Sequence, residues 1–423
     1  MKTFFAKIGI VLRDPAMRKR IGFTLGALVV FRLLAAIPMP GIDILSLERL
    51  LASSQFFGLL DIFSGGGISN LSIVMLGVGP YITASIIMQL LTMMFPKMKA
   101  IMQEEGEAGR QKLSQYSRLL AVPLALIQGF AFIKLFQSQG VIPALGSFDL
   151  LVSIVVIAAG SLLVMWIGEL ISEFGIGNGV SLIIFAGIVA ALPTQISQFV
   201  AGFDPSQIPL YLVFVAIALV VIMGVVFVTE AERAVPVTYA KQVRGNKVYG
   251  GVSTYLPLRL NQAGVIPIIF ALSILLFPQV ISNFFANSSN PAIADAAASV
   301  STFLASPWPY GILYFFLVVI FTYFYTAVTF DPKQISENLQ KSGAFIPGVR
   351  PGESTMGFLG KIVTRITLVG ALFLGIIAVL PLIMQAFTGS QTLAIGGTAL
   401  LIVVSVVLDL LKKIDAQASM REY

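Results

Sequence analysis

The sequence of 423 residues contains no cysteine and no histidine, and only 11% of its residues are charged. The two missing residue types exclude thiol nucleophiles, disulfides, cysteine or histidine metal sites and a histidine general base. Neither the GxxxxGK[ST] pattern of phosphate-binding loops nor the HExxH pattern of zinc peptidases occurs. We therefore predict that the chain is not an enzyme, hydrolyses no ATP and uses no cofactor.

Apolar residues take the place of the missing charge, since 57% of the chain is hydrophobic and its mean hydropathy is +0.93. Soluble domains carry about 25% charged residues, so this composition indicates a membrane protein. A helix needs about 20 apolar residues to cross a bilayer. The apolar runs predict ten spans, at about 21–38, 73–95, 118–136, 148–170, 178–200, 209–229, 263–284, 308–328, 366–386 and 393–411.

The basic residues predict the orientation of these spans. All but three of the 27 lysines and arginines fall in segments that ten spans would place on one side, the exceptions being Arg32, Arg49 and Lys134. Basic residues accumulate on the cytoplasmic side, so both termini are expected to be cytoplasmic and the number of spans even. The net charge of +7 is therefore interpreted as loop charge rather than as a surface for nucleic acid.

Glycine and proline interrupt the predicted spans at matching positions of the two halves. Gly77–Ile82 in the second span corresponds to Gly264–Ile269 in the seventh, and Gly175–Val180 at the fifth corresponds to Ile395–Thr398 at the tenth. Five spans per half would make the repeat inverted, and inverted repeats often surround a central pathway. Close packing of small residues is the alternative explanation, but two matching pairs favour a pathway.

Residues 56–72 form a moderately apolar, glycine-interrupted stretch that is too short to span. The stretch is either re-entrant, inside a helix bundle, or an interfacial surface helix. Arg32 is the one ionisable residue well inside a predicted span, whereas active transporters place such residues near the midplane. A secondary transporter with inverted repeats nevertheless remains an alternative, as does a non-conducting scaffold.

Several blocks of sequence stand out by their length and their order. Together they closely resemble the SecY family, the pore-forming subunits of bacterial Sec protein translocons, over about residues 20–411. Such ordered blocks are far more specific than any short motif. The blocks are Val30–Arg32, Ile37–Asp43, Phe63–Gly66, Gly79–Ile87, Glu105–Arg110, Gly175–Gly179, Ala263–Pro267 and Lys341–Gly352.

The resemblance implies an all-α polytopic membrane protein with ten transmembrane helices in two inverted five-helix halves, arranged as a clamshell. Residues 1–205 would form the first half, with a short re-entrant plug helix at about 63–72. Residues 206–423 would form the second half, with cytoplasmic docking loops at about 230–261 and 329–365. The spans between which the chain would open sideways to lipid are the second and the seventh.

The resemblance also implies a role for particular residues. An aliphatic ring would close the pore at Val78, Ile82, Val180, Ile184, Ile269 and Ile402. The plug would comprise Phe63, Ser64, Gly65, Gly66, Gly67, Ile68, Ser69, Asn70, Leu71 and Ser72. Polar residues of the lateral gate would be Gln89, Gln128 and Asn261, and partners would dock at Arg350, Lys247 and Arg244.

Each of these assignments has a structural alternative. Single aliphatic residues of such a chain usually pack or face lipid, the polar residues could make ordinary interhelical hydrogen bonds, and basic loops could merely set orientation. Many family members carry an Arg-Arg pair where this chain has Asn246-Lys247, which puts ribosome contacts at that loop in doubt.

The expected function is a passive channel that passes unfolded polypeptides across the bacterial plasma (inner) membrane and releases membrane helices laterally into it. The implied partners are SecE and SecG, the SecA ATPase, the ribosome, signal-bearing polypeptides and the lipid bilayer, without direct reading of nucleic acid. Because the chain has no ATP site, the energy for transport would come from a partner.

Overall fold

The computed structural model describes residues 14–39, 47, 64–95, 97–98, 100–101, 106–143, 145–201, 205, 208–240, 242–244, 247–249, 253–285, 290–388 and 396–419. Long helices dominate these ranges, and short strands lie in two of the loops. The helices are α1 (Pro15–Ala35), α2 (Gly79–Met94), α3 (Gly106–Ser138), α4 (Ser147–Phe174), α5 (Gly179–Ala201), α6 (Ile208–Glu230), α7 (Ile266–Phe285), α8 (Pro291–Ala305), α9 (Pro307–Thr329), α10 (Pro332–Lys341), α11 (Glu353–Thr388) and α12 (Gly396–Ser419). The strands are β1 (Glu232–Tyr239), β2 (Gln242–Arg244), β3 (Lys247–Tyr249), β4 (Ser253–Arg259) and β5 (Ala344–Phe345).

Three helices begin with the same local device, a short polar residue followed by proline. Proline lacks an N–H group and has a helical φ, so it suits the first turn, while the preceding side chain accepts a backbone hydrogen bond. The capping oxygens bind the N–H group two residues further on at 2.9–3.1 Å in Asp14-Pro15, Asn290-Pro291 and Asp331-Pro332.

Every predicted span coincides with a helix: α1 to α7, α9, α11 and α12. Among the described residues, five helices are long and apolar enough to cross a membrane by length and composition: Gln111–Ser138, Ser147–Phe174, Tyr211–Glu230, Pro307–Lys341 and Glu353–Ile383. The protein is thus a multi-pass helical membrane protein, and the number of ten spans stays a prediction.

The second predicted span begins more than a turn before its helix does. Helix α2 begins at Gly79 rather than at residue 73, because residues 73–78 form turns. Gly77 has a φ of +52°, which a helix does not accommodate. Pro80 then occupies the first turn, where its missing N–H group costs no hydrogen bond.

The chain divides into two compact units, Met1–Ala216 with Ser273–Pro307 and Pro381–Tyr423, and Ile217–Leu272 with Trp308–Leu380. In the first unit α3 packs against α2 and α4, and α5 packs against α4, α1 and α12. The predicted division into halves after residue 205 remains a prediction.

In the second unit two loops share one antiparallel sheet with the strand order β4-β1-β5. Strand β1 follows α6, whereas β5 follows α10, so distant segments of the chain are hydrogen-bonded together. Alternate residues of β1 and β4 point into an apolar core that includes Val235, Val237, Leu258, Ala344, Leu359 and Ile362. The sequence analysis did not predict these strands. The second, smaller sheet is the hairpin of β2 and β3.

Candidate functional site

Residues 64–72, which we call the 64–72 segment, are folded into tight turns. The Ser64 side chain organises them, because its Oγ accepts hydrogen bonds from the N–H groups of Gly67 at 2.9 Å and Ile68 at 3.2 Å. Ser64 and Gly65 to Ile68 are buried, as are Leu71 and Ser72. Phe63, where the predicted plug begins, lies outside the described residues.

Polar contacts join the 64–72 segment to the end of α1 and to the residues that follow it. Arg32 donates from Nη1 to the Gly65 carbonyl oxygen at 2.9 Å, and the Met39 N–H group donates to the Leu71 carbonyl oxygen at 3.0 Å. Pro38 and Ser72 form an isolated antiparallel bridge. The backbone groups of the segment thus obtain partners although most of it is buried, as non-helical backbone inside a membrane protein requires.

Apolar packing holds the same segment against α3 and α4. Ile68 is 1% exposed and Leu71 is fully buried, and both belong to a cluster with Phe136 of α3 and Ile157 of α4. Full burial of an Ile or Leu side chain stabilises a fold by about 1.5–3 kcal/mol. The segment is therefore an integral part of the first unit rather than a surface loop.

Two glycines allow other backbone to approach the segment closely. A Cβ atom at Gly187 in α5 would overlap the backbone of Gly65, and a Cβ atom at Gly77 would lie 2.7 Å from Ser64 Cα. Real Cβ atoms essentially never come so close to a backbone atom. The segment thus lies directly against α5 and against the turns that lead into α2.

Five residues of the predicted ring belong to the first unit. Val78 caps α2 at its N-terminus and is fully buried, and Ile82 is half-buried one turn later. Val180 in the first turn of α5 is half-buried, whereas Ile184 is 1% exposed. Ile402 of α12, a helix that packs against α5, is also 1% exposed. Their role as a ring stays a prediction.

The sixth ring residue, Ile269, lies in the first turn of α7 in the second unit and is 8% exposed. The same unit contains Asn261, whose Nδ2 donates to the Gly264 carbonyl oxygen at 3.2 Å while its buried Oδ1 has no partner among the described residues. The predicted gate residues Gln89 of α2 and Gln128 of α3 are both half-buried, and the buried Oε1 atom of Gln89 likewise has no partner in the described part of the chain. No observation tests the gate role of these three amides.

Three of the four predicted glycine breaks share one local geometry. Helices α2, α5 and α7 each begin two residues after a glycine in the left-handed region, namely Gly77 (φ +52°), Gly177 (φ +92°) and Gly264 (φ +61°). Only glycine adopts this conformation without a steric penalty. These three interruptions are therefore sharp turns in front of helices rather than kinks within them.

The predicted docking residues lie in the second unit. Arg350 is exposed, and the loop that carries it is tied down because the Thr355 hydroxyl donates to the Arg350 carbonyl oxygen at 2.9 Å and the Ser336 hydroxyl to that of Gly352 at 2.7 Å. Arg244 ends β2, and Lys247, its partner in the antiparallel register, begins β3. The docking roles stay predictions.

Two polar contacts of the first unit were not predicted from the sequence. One is the hydrogen bond from Arg32 to Gly65, and the other is the bond from the Ser161 hydroxyl of α4 to the Gly77 carbonyl oxygen at 2.8 Å. The isolated charge of Arg32 inside an apolar run was a usable signal for the first, but a serine in α4 offers none for the second. Within the described ranges no group of three or more acidic residues could hold a metal ion.

Solved structures share this architecture. The structure of a protein-conducting channel matches with a TM-score of 0.65 at 19% identity, over 96% of this chain and 93% of that chain. Sec61 in a canine ribosome-channel complex from the endoplasmic reticulum matches with a TM-score of 0.63 at 18% identity, over 96% and 93% of the two chains. The protein is therefore a multi-pass helical membrane protein with the fold of protein-conducting channels.

Sequence comparisons define the family. The protein translocase subunit SecY of Mycobacterium tuberculosis is 41% identical, over 97% of each chain. Its counterpart in Thermus thermophilus is 42% identical, over 100% of this chain and 97% of that one. The sequence model of the SecY family matches residues 72–411. The chain belongs to the SecY family.

Proposed function

We propose that this protein is the pore subunit of a protein translocon, a passive gated channel for unfolded polypeptide. The observation that carries the proposal is the seating of the 64–72 segment. Its buried turns lie directly against Gly77, which precedes the ring residue Val78, and against Gly187, less than one turn after Ile184. A re-entrant segment beside two predicted ring positions suits the role of a plug.

The ring and the plug would hold back ions by different means. A constriction lined only by aliphatic side chains excludes ions because water does not fill it stably. In this proposal the ring comprises Val78, Ile82, Val180, Ile184, Ile269 and Ile402, and the plug adds a second layer of buried apolar contacts. A polypeptide in transit would displace the plug and take over its sealing role.

Lateral release of membrane helices would take place between α2 and α7. In both helices a left-handed glycine precedes the first turn, so opening would change the backbone of this connection rather than the helix itself. The amides of Gln89, Gln128 and Asn261 would contribute to closing this gate, and interhelical hydrogen bonds in membranes are worth about 0.6–1.7 kcal/mol.

The chain would work in the bacterial plasma membrane with both termini in the cytoplasm and would carry out no catalysis. SecE and SecG would be its membrane partners, and SecA or the ribosome would supply the driving force. The exposed and anchored loop around Arg350, with the β2–β3 hairpin that carries Arg244 and Lys247, would receive them. The canine Sec61 neighbour in a ribosome-channel complex supports a ribosome partner.

Ion conductance of the purified complex in planar bilayers tests the proposal. Removal of residues 64–72, or Ile402→Asn, takes away one layer of the seal, so resting conductance should rise at least about tenfold, the equivalent of about 1.4 kcal/mol. Val407→Asn is the matched control, because Val407 lies on the same helix α12 but is 38% exposed. Wild-type silence in both sealing variants, with normal folding, would contradict the proposal and favour a non-conducting scaffold. Uptake of a small solute without a motor would favour a secondary transporter.

A further inference from the structure

The proposed channel mechanism assigns no role to the charge of Arg32. Arg32 lies in the last turn of α1 and is half-buried. The one described hydrogen bond of its side chain, from Nη1 to the Gly65 carbonyl oxygen at 2.9 Å, reaches across to the 64–72 segment. Among the described residues no carboxylate forms an ion pair with Arg32, so this carbonyl is its described partner.

Two glycines form the turn that contacts the Arg32 guanidinium. Gly65 and Gly66 have φ values of +70° and +82°, and a Cβ atom at Gly66 would lie 3.0 Å from Arg32 Nη1. A Cβ atom at Gly65 would lie 2.5 Å from the ring carbon Cζ of the neighbouring Phe31, whose side chain is fully buried. The end of α1 therefore contacts both glycines, the charge at one and the ring at the other.

A simpler role for Arg32 is to stabilise the C-terminus of α1, since cations are favourable near the last carbonyls of a helix. That role needs only a positive charge, which lysine also supplies. A hydrogen bond to Gly65 at this distance instead needs a donor that reaches the carbonyl, and the planar guanidinium offers its donors in fixed directions. Lysine would therefore preserve the helix-end role but not the guanidinium geometry, whereas glutamine would preserve a neutral donor but no charge.

We propose that Arg32 is the positioning residue that holds the 64–72 segment in its seated state and thereby sets how readily the channel opens. This inference rests on the proposed function, because it assumes that release of the segment opens the pore. Release of the segment breaks the charge-assisted bond to Gly65, and bonds of this kind shift an equilibrium by about 10- to 100-fold. Arg32→Leu should raise the resting open fraction by that factor.

Resting conductance of the purified complex with three substitutions separates the roles. Arg32→Leu removes charge and donor, and Arg32→Gln keeps a donor without charge. Arg32→Lys keeps the charge and has donors on a compact ammonium, but loses the planar guanidinium. Under the proposal conductance rises from wild type through Arg32→Gln to Arg32→Leu, and Arg32→Lys stays above wild type. Arg20→Leu, an exposed charge of the same helix, serves as the control and should stay silent. If Arg32→Lys is as silent as wild type while Arg32→Gln behaves like Arg32→Leu, the helix-end role is sufficient and the proposal is wrong.

Deletion of residues 64–72 closes a double-mutant cycle. If Arg32 acts through the segment, Arg32→Leu adds nothing to the conductance of the deletion variant. An additional rise in that background would show that Arg32 acts elsewhere and would overturn the inference alone. A silent deletion variant would overturn the proposed function, and this inference with it.

A thiol probe covers the case in which the deletion variant does not fold. The chain has no native cysteine, so Ile68→Cys, at a position 1% exposed, reports the release of the segment through its labelling by a water-soluble maleimide. Arg32→Leu should speed this labelling by about 10- to 100-fold. Labelling of Ala121→Cys, at a position 1% exposed on α3, should not change. Equal acceleration at both positions, or at neither, would refute the proposal.

Discussion

Gly77 gives the sharpest test of how the 64–72 segment is held, because it lies between that segment and α2. Replacement by alanine places a Cβ atom 2.7 Å from Ser64 Cα and 2.8 Å from the Ser64 carbonyl oxygen. Both atoms belong to the backbone, so no side-chain rotation relieves the overlap. The φ of +52° adds backbone strain of about 1–2 kcal/mol for alanine.

The overlap penalises the seated segment in particular, since the Ser64 backbone must move for the methyl group to fit. Overpacking by a methyl group costs about 1–3 kcal/mol, which corresponds to a 5- to 150-fold shift of an equilibrium. We expect Gly77→Ala to raise resting ion conductance within this range. We also expect it to lower the thermal unfolding midpoint in detergent, because the backbone strain is present as well.

Gly79→Ala is the matched control, two residues further along the chain. A Cβ atom at Gly79 would have no described atom within 4 Å, and Gly79 is the first residue of α2. Alanine there should be neutral or stabilising by up to about 1 kcal/mol, with a silent channel. Equal conductance of the two variants would refute the contact between Gly77 and Ser64 as the origin of the effect.

Two further predictions concern a surface charge and a helix contact. Arg350→Glu should reduce SecA-driven translocation into vesicles at least about tenfold, because it weakens partner binding. The thermal midpoint should not change, because the side chain is exposed. An equal loss of translocation in the control Lys341→Glu would show a general charge effect. Gly179→Ala should destabilise the fold by about 3 kcal/mol or more, since its Cβ atom would overlap the Gly168 carbonyl oxygen. Gly22→Ala, with nothing within 4 Å, should be neutral or stabilising, and equal thermal midpoints would contradict this packing.

The sequence was sufficient to predict what depends on local composition. Apolar runs located ten of the described helices but neither α8 nor α10, and the glycine and proline clusters located the turns in front of α2, α5 and α7. Hydropathy and backbone freedom are properties of neighbouring residues, so both can be inferred from the sequence. The start of α2 was misplaced because residues 73–78 are as apolar as a helix would be. Their turns are held by contacts with Ser64 and Ser161, which are distant in the sequence.

The contacts of the site depend on tertiary structure and were therefore less accessible. Arg32 was recognisable as an isolated charge, but its hydrogen bond to Gly65 joins residues 33 positions apart. Strand β5 has only two residues and pairs with β1, and so short a strand has no periodicity to detect. Which aliphatic residues would form the ring came from the resemblance to a family, because hydropathy does not distinguish a pore-lining side chain from one that faces lipid.

The pairing of β1 with β5 has a mechanical consequence for any partner that binds the loops after α6 and α10. Thr238 pairs with Phe345 and Tyr239 with Ala344, so the loop after α6 and the loop after α10 are crosslinked by backbone hydrogen bonds close to their bases. A force applied to the tip near Arg350 is then also carried by β1, and through β1 by α6, from which a single residue separates it. A chimaera that exchanges one loop for that of a relative should therefore keep this coupling only where the new loop preserves the pairing of β1 with β5.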